Sequence, residues 1–392
     1  MKTVRCLLAP GKEKPVLHRH PWIFSGAVDQ IEEGYAAGDL VRVLSSREEF
    51  LGIGYLNPES QIVVRMLAFE DVAIDEAFFD HKIAQAAALR QKFLPPATNA
   101  YRLVHSEGDF LPGLIVDVYG DFLVAQFLTA GIEAWRGAIV QSLRKQFPAC
   151  GIFEKSDSDL RKWEGLQRSV GVLAGDEPPE TVEILENGIS FGVDLRGGQK
   201  TGFFLDQRES RAAVRDLSAG KRVLNCFAYT GGFSIYAAKG GAQEVVSVES
   251  SESAVELGRK NCLRNQVEDK RSVWAQQDVF DYLRATNREF DLIILDPPAF
   301  CKNKQQIQQA ARGYKDINLQ ALKLVSKGGL LFTFSCSSYI SPDLFQKILF
   351  GAAADARRDV RILRKTSHAF DHPINVYHPE GEYLKGFLCE VS

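Results

Sequence analysis

The stretch Arg222-Val-Leu-Asn-Cys-Phe-Ala-Tyr-Thr-Gly-Gly-Phe233 decides the fold. A short apolar run opens into paired glycines at 231 and 232, and a helical pattern follows from about Ser234. Paired glycines at a strand-to-helix turn let backbone N–H groups approach a ligand closely. The turn is not Gly-x-Gly-x-x-Gly and lacks the lysine of a phosphate loop, so a small adenosyl ligand is favoured over a dinucleotide or triphosphate. Outward from this turn, strands are expected at residues 222–227, 245–249, 272–275, 290–295 and 330–334, with amphipathic segments between them. That alternation predicts an α/β fold with a doubly wound parallel sheet.

Ligands of such sheets sit beyond the carboxyl ends of the strands. Glu249 closes the second strand, where a carboxylate accepts ribose hydroxyls, and Asp278 follows the third. Either acid alone also fits a solvated surface. Their order after a Gly-Gly turn favours S-adenosylmethionine (SAM). The next two strands deliver Asp296-Pro297-Pro298 and Ser335-Cys336-Ser337 to the same edge. Prolines fix the backbone after Asp296. An acid and a thiol there suit methylation at carbon 5 of a pyrimidine. A thiolate from Cys336 adds at carbon 6, carbon 5 becomes enamine-like, and elimination restores the ring. Asp296 would bond N3 and the exocyclic amine. A buried small hydrophobe is the other reading of Cys336, and the flanking serines favour a cleft. Cys226 is expected to pack under the glycine loop. Cys301, just past Asp296, is the other rival thiol, expected near the site but not as a second catalytic one.

The other segments follow from patterning. Residues 1–73 read as short strands broken by glycine, a small β-barrel. A helix over 75–93 stops at Pro95-Pro96. Strands at 102–105, 114–118, 122–127 and 151–154, with a helix over 132–146, make 74–185 a central α+β domain. Asn187-Gly188 predicts a type I′ hairpin turn, and residues 186–392 form the third domain. The 392 residues carry a net charge of −3. Local charge is different: Lys302, Lys304, Arg312, Lys315, Lys323 and Lys327 face only Asp316 over 302–327, and the first twenty residues are also basic. These patches suit a phosphate backbone or, equally, solvated helix faces. The seven cysteines are scattered singly, which argues against a zinc site or disulfide framework. No apolar run suits a membrane span or a signal peptide, so a cytoplasmic protein is expected.

The residues quoted, together with Lys200-Thr-Gly-Phe-Phe-Leu-Asp-Gln-Arg208, Asp296-Pro-Pro-Ala-Phe300, Gly313-Tyr-Lys-Asp-Ile-Asn318, Phe334-Ser-Cys-Ser337 and Pro379-Glu-Gly-Glu-Tyr-Leu-Lys-Gly-Phe387, resemble one family. This is the bacterial 23S rRNA cytosine-5 methyltransferase family with an N-terminal PUA domain. The resemblance spans nearly the whole chain. It implies a PUA barrel, a central domain and a class I, Rossmann-like methyltransferase domain. It implies Cys336 as nucleophile and Asp296 as the acid of the Asp-Pro-Pro motif. Cofactor-lining positions would be Asn225, Phe227, Tyr229, Gly231, Glu249, Asp278 and Asp296, with Gln207 closing over the cofactor. Cys301 departs from the pattern.

The segment His18-Arg-His-Pro-Trp-Ile-Phe24 looks like the family's PUA signature. Arg19 would meet phosphate and Trp22 would stack on RNA, although Trp22 and Phe24 also suit a small core. Lys302, Lys304 and Lys315 complete the expected RNA contacts. His105, His368 and His372 read as hydrogen-bonded or surface residues rather than metal ligands. The expected function is SAM-dependent transfer of a methyl group to carbon 5 of a cytosine in 23S rRNA. The alternatives are an exocyclic-amine methyltransferase acting on adenine or guanine, and a non-catalytic ribosome-assembly protein that binds RNA. The expected partner is 23S rRNA, with no membrane, and a homodimer is the one assembly kept in view.

Overall fold

The computed structural model describes residues 2–392. They form two compact units. The first comprises residues 2–185, 193–205 and 370–381, and the second comprises 186–192, 206–369 and 382–392.

In the first unit, a six-stranded sheet runs in the order Trp22–Phe24, Ile62–Ala68, Phe50–Leu56, Leu40–Leu44, Thr3–Leu8, Val28–Ile31. Thr3–Leu8 pairs parallel with Leu40–Leu44, and the other pairings are antiparallel. A second sheet of five strands runs Ser169–Ala174, Gly151–Ser156, Phe122–Phe127, Leu114–Tyr119, Ala100–His105. The helix Glu76–Phe93 begins at Asp75, whose carboxylate accepts the Phe78 N–H at 3.0 Å. One apolar cluster joins Tyr55 and Leu67 of the first sheet to Phe79 and Ile83 of this helix and to Leu103 and Val116 of the second sheet. This shared core is why a boundary at 73/74 does not separate compact bodies.

The expected helix over 132–146 is two helices, Ala130–Ala134 and Arg136–Gln146. They meet at Trp135, whose ring packs 5.0 Å from that of Phe79. Segments 193–205 and 370–381, which the sequence reading put in the third domain, belong to the first unit through buried polar contacts. Arg90 clasps Asp109 at 2.5 and 2.7 Å and donates to the Asp371 carbonyl at 2.8 Å. Thr201 donates to Asp117 at 2.6 Å, and Asp117 also holds Arg102. Breaking one partner of such a buried pair strands a charge, which is why the network locks the returning segments in place.

The second unit holds a seven-stranded sheet in the order Ser272–Gln276, Glu244–Glu249, Arg222–Cys226, Phe290–Leu295, Val325–Ser335, Lys385–Val391, Val360–Thr366. The first five strands are parallel. The last two are antiparallel to their neighbours, so the sheet is mixed rather than wholly parallel. The central strands are largely apolar, as strands covered on both faces are expected to be. Asn187 and Gly188 take φ of 52° and 77°, the geometry of the expected hairpin turn.

Candidate active site

The loop after Arg222–Cys226 is folded tightly. Phe227, Tyr229 and Gly231 have φ of 59°, 48° and 86°. Left-handed backbone at two residues with side chains, two positions apart, is a local cost that concentrates at functional sites. Gly231 is required twice over: a Cβ there would also stand 3.1 Å from the Trp274 ring. The loop N–H groups largely serve the fold. Ala228 donates to the Val248 carbonyl at 3.0 Å, Gly231 to Ala228 at 2.9 Å, and Tyr229 to Glu249 Oε2 at 2.9 Å.

Glu249 is half-buried at the carboxyl end of its strand, with Oε1 accepting the Ser251 N–H at 2.9 Å. The loop and the acid are therefore mutually positioned. Asp278 is exposed, and its Oδ1 caps the helix Val279–Ala285 by accepting from Phe280 and Asp281 at 2.8 and 3.2 Å. Asn225 is 1 % exposed, and its amide donates to Ser234 Oγ at 2.8 Å, pinning strand to helix. Its Oδ1 is buried with no partner among the described residues.

The acid and the thiol arrive on neighbouring strands. Leu295 pairs with Thr333, so Asp296 lies one residue beyond that row and Cys336 three. The Cys336 thiol donates to the Pro297 carbonyl at 3.7 Å. Gln207, 2 % exposed, donates from Nε2 to Asp296 Oδ1 at 2.9 Å. Its Oε1 is buried and unpartnered among the described residues. Phe227, Phe280 and Phe300 form an aromatic wall with centroids 6.0–6.5 Å apart, and Phe300 packs on Tyr314 at 4.7 Å. The Tyr314 and Ser337 hydroxyls bond at 2.9 Å.

The rival thiols are placed differently. Cys226 is fully buried in the core, and burial pushes its thiol far above the ordinary range. Cys301 is buried, its thiol on the Asn303 carbonyl at 3.2 Å and its N–H on Ser337 Oγ at 3.2 Å. Cys336 is half-buried.

Sequence reasoning missed Lys385. This lysine is buried beside the end of the Cys336 strand, with Nζ donating to the carbonyls of Ser337 and Tyr383 at 2.7 and 2.8 Å. The available signal was one cation opening the apolar strand Lys385-Gly-Phe-Leu-Cys389.

The expected RNA contacts fall in both units. In the first, Arg19 is exposed, bonded to Glu70 at 2.9 Å and stacked 5.2 Å over Phe69. Trp22 is committed to the protein: its indole donates to Glu107 at 2.7 Å and its ring lies 4.4 Å from that of His378. Phe24, 49 % exposed, is the aromatic presented there. In the second unit, Lys302 and Lys304 are exposed just after the Asp-Pro-Pro loop, whereas Lys315 pairs with Asp355 at 2.7 Å. The histidines are structural. His372 bonds Asp371 at 3.0 Å, and His368 accepts N–H groups of Tyr383 and Leu384 at 3.3 and 3.0 Å. No metal-binding cluster and no helix long and apolar enough to cross a membrane occurs among the described residues.

Comparison with known proteins places this arrangement. A family model for S-adenosylmethionine-dependent methyltransferases matches residues 117–364, and one for PUA-like domains matches residues 7–69. The ribosomal RNA large subunit methyltransferase I of Yersinia pestis bv. Antiqua (strain Angola) is 45 % identical over 394 residues, covering 99 % of this chain and 100 % of the relative. The Yersinia pseudotuberculosis protein (serotype O:3, strain YPIII) matches equally. A crystal structure assigned as a methyltransferase and complexed with SAH superposes with a TM-score of 0.86 at 28 % identity, covering 100 % of both chains. Another, assigned as a SAM-dependent methyltransferase from Streptococcus mutans, gives 0.85 at 28 % identity over 99 % of this chain and 100 % of the other. With an α/β fold, a PUA-like domain and a full-length match, the chain belongs to the SAM-dependent ribosomal RNA large subunit methyltransferase I family.

Proposed function

We propose that this chain methylates carbon 5 of a cytosine in 23S ribosomal RNA through a covalent bond between Cys336 Sγ and carbon 6 of the base. The observation that carries this reading is the contact of the thiol with the Asp-Pro-Pro loop, Cys336 Sγ to the Pro297 carbonyl at 3.7 Å. Methylation of an exocyclic amine uses an acidic Pro-Pro loop but needs no thiol. A cysteine placed against that loop is explained by attack on the ring.

SAM supplies an electrophilic methyl group when bound. The site fits it: Glu249 stands where ribose hydroxyls are accepted, and the orphaned acceptors Gln207 Oε1 and Asn225 Oδ1 suit a ligand rich in donors. Cys336 must be a thiolate to add at carbon 6. The new Sγ–C6 bond moves electron density to carbon 5, which then takes the methyl group. Loss of the carbon 5 proton to solvent expels Cys336 as thiolate and restores the aromatic ring, so no oxidant or reductant enters. Asp296, fixed by Gln207, accepts a hydrogen bond from the exocyclic amine of the base and, with a proton held between its carboxyl group and N3, bonds that nitrogen as well. Lys302 and Lys304, exposed just after the Asp-Pro-Pro loop, are assigned to the phosphate backbone of the same RNA.

The test is RNA carrying 5-fluorocytosine. Fluorine at carbon 5 cannot leave as a proton, so the adduct persists as a protein–RNA band under denaturing conditions. Cys336→Ala is expected to give no band and no methyl transfer while still binding SAM. Normal turnover by Cys336→Ala would overturn the reading. Bisulfite mapping of 23S rRNA from a strain lacking the protein identifies the base.

A further inference from the structure

The last strand runs antiparallel to the strand that ends at Cys336, and its register sets Lys385 opposite Ser335. The amine of Lys385 then reaches past the thiol-bearing residue and bonds the carbonyl of Ser337 at 2.7 Å. A second bond, to the Tyr383 carbonyl at 2.8 Å, fixes it from the other side. Lys385 therefore lies beside the end of the Cys336 strand, its backbone paired with residue 335 and its Nζ on the carbonyl of residue 337, where its charge and that of Cys336 act on each other. Only 3 % of the residue is exposed. Both bonded partners are neutral carbonyls, so they orient the ammonium without cancelling its charge.

A buried lysine is costly, and a strand position could have held an apolar residue at less cost. We propose that Lys385 is a positioning residue for the nucleophile: its anchored ammonium is the fixed positive charge that holds Cys336 as a thiolate. The inference rests on the covalent reading of Cys336. A free thiol near its ordinary pKa of about 8.5 is only a few per cent thiolate at neutral pH. A neighbouring cation in a partly desolvated site raises that fraction. The proton goes to solvent, and no other group changes its covalent state.

Burial pushes the Lys385 amine down to about 8, while the charges of Cys336 and Glu382 draw it back up. The amine is therefore mainly protonated at neutral pH and acts as a charge rather than as a base. Other ionisable groups lie around it. Tyr314 bonds Ser337 Oγ, and burial raises its phenol, keeping it neutral. The Tyr383 hydroxyl donates to Asp206 at 2.6 Å, and His368 accepts the Tyr383 and Leu384 N–H groups. Asp296 stands on the loop whose Pro297 carbonyl meets the thiol.

The test reads the thiol directly, on the full-length protein and without RNA. The rate of iodoacetamide alkylation at Cys336 is followed against pH by peptide mass spectrometry. The wild-type profile is expected to turn at least one pH unit below an ordinary thiol. Lys385→Met should move it up by about one unit or more, so that alkylation at pH 7 slows about tenfold, and Lys385→Arg should restore most of it. A wild-type profile at or above the ordinary thiol value overturns the proposal, whether or not the variants fold. So does a folded Lys385→Met protein with an unchanged profile. If turnover survives in Cys336→Ala, the covalent reading fails while the alkylation profile still reports on Lys385. If the profile is flat to Lys385 but Cys336→Ala is dead, only the lysine assignment fails.

Discussion

Gln207 is the side chain through which the placement of Asp296 can be measured. Its Nε2 donates to Asp296 Oδ1 at 2.9 Å from a position that is 2 % exposed, in the turn Leu205–Gln207 ahead of the helix Arg208–Leu217. A hydrogen bond to a charged partner contributes about 1.5–3 kcal/mol. If Asp296 must face the base in one orientation, Gln207→Ala lowers kcat by about 10- to 150-fold, at about 1.4 kcal/mol per factor of ten. SAM affinity should change less. Gln207→Glu keeps the shape but sets a second carboxylate against Asp296, and such a pair cannot both ionise freely. That variant is expected to be slower than Gln207→Ala at pH 7 and to recover as pH falls toward 5. The assay is steady-state methyl transfer with RNA and SAM varied separately, with thermal melts to exclude unfolding. A double-mutant cycle with Asp296→Asn should show coupling of about 1 kcal/mol or more. Unchanged kcat in Gln207→Ala, or a loss confined to SAM affinity, refutes the reasoning and assigns Gln207 to the cofactor alone.

Gly231→Ala forces a left-handed φ of 86° on a residue with a Cβ and presses it to 3.1 Å from Trp274. About 1–2 kcal/mol of strain is expected, which should lower Tm by several degrees and weaken SAM binding in a titration; an unchanged Tm and Kd would contradict the loop geometry. Arg222 holds the Asp291 carboxyl down to about 2 through side-chain and backbone bonds. A lowered carboxyl contributes stability above its unfolded pKa of about 3.9 that is lost as pH falls through the folded value. Arg222 is 40 % exposed, so screening limits this to about 1 kcal/mol. The urea-midpoint gap between wild type and Asp291→Asn should therefore be full at pH 7 and shrink toward pH 3; a constant gap would rule out the linkage. Lys302→Ala with Lys304→Ala should flatten the salt dependence of RNA binding by about one log–log unit per lost phosphate contact, whereas an unchanged slope would remove these lysines from the interface.

Local chemistry made part of this fold readable. The strands at 3–8, 40–44 and 290–295 are mostly apolar and β-branched runs, each with a glycine or proline two residues from one end, and that end follows from the punctuation. The Asn187-Gly188 turn needs positive φ at both residues and is written in the sequence for that reason. Other elements depend on partners far away in the chain. Val360–Thr366 carries two arginines and a lysine and lies mostly exposed at the sheet edge, where charge guards against further pairing and hides the strand pattern. Trp22-Ile-Phe24 is too short to show a period, and the Trp22 indole is held by Glu107, a partner 85 positions on.

The same limit separates the two halves of the candidate site. Asp296 and Cys336 were legible because each ends its own parallel strand, and parallel neighbours bring their carboxyl ends to one edge whatever follows. Lys385 was not, because its position depends on the direction of the strand it opens. Had Lys385–Val391 continued the parallel pattern, its first residue would lie at the opposite edge of the sheet, about 20 Å away for a seven-residue strand. Antiparallel insertion between Val325–Ser335 and Val360–Thr366 reverses this and brings the start of the last strand to the end of the fifth. A cation that reads as a break in an apolar run thereby comes to rest on the carbonyl of Ser337, one residue past the thiol-bearing position. The reversal of one strand is what makes the third member of the site.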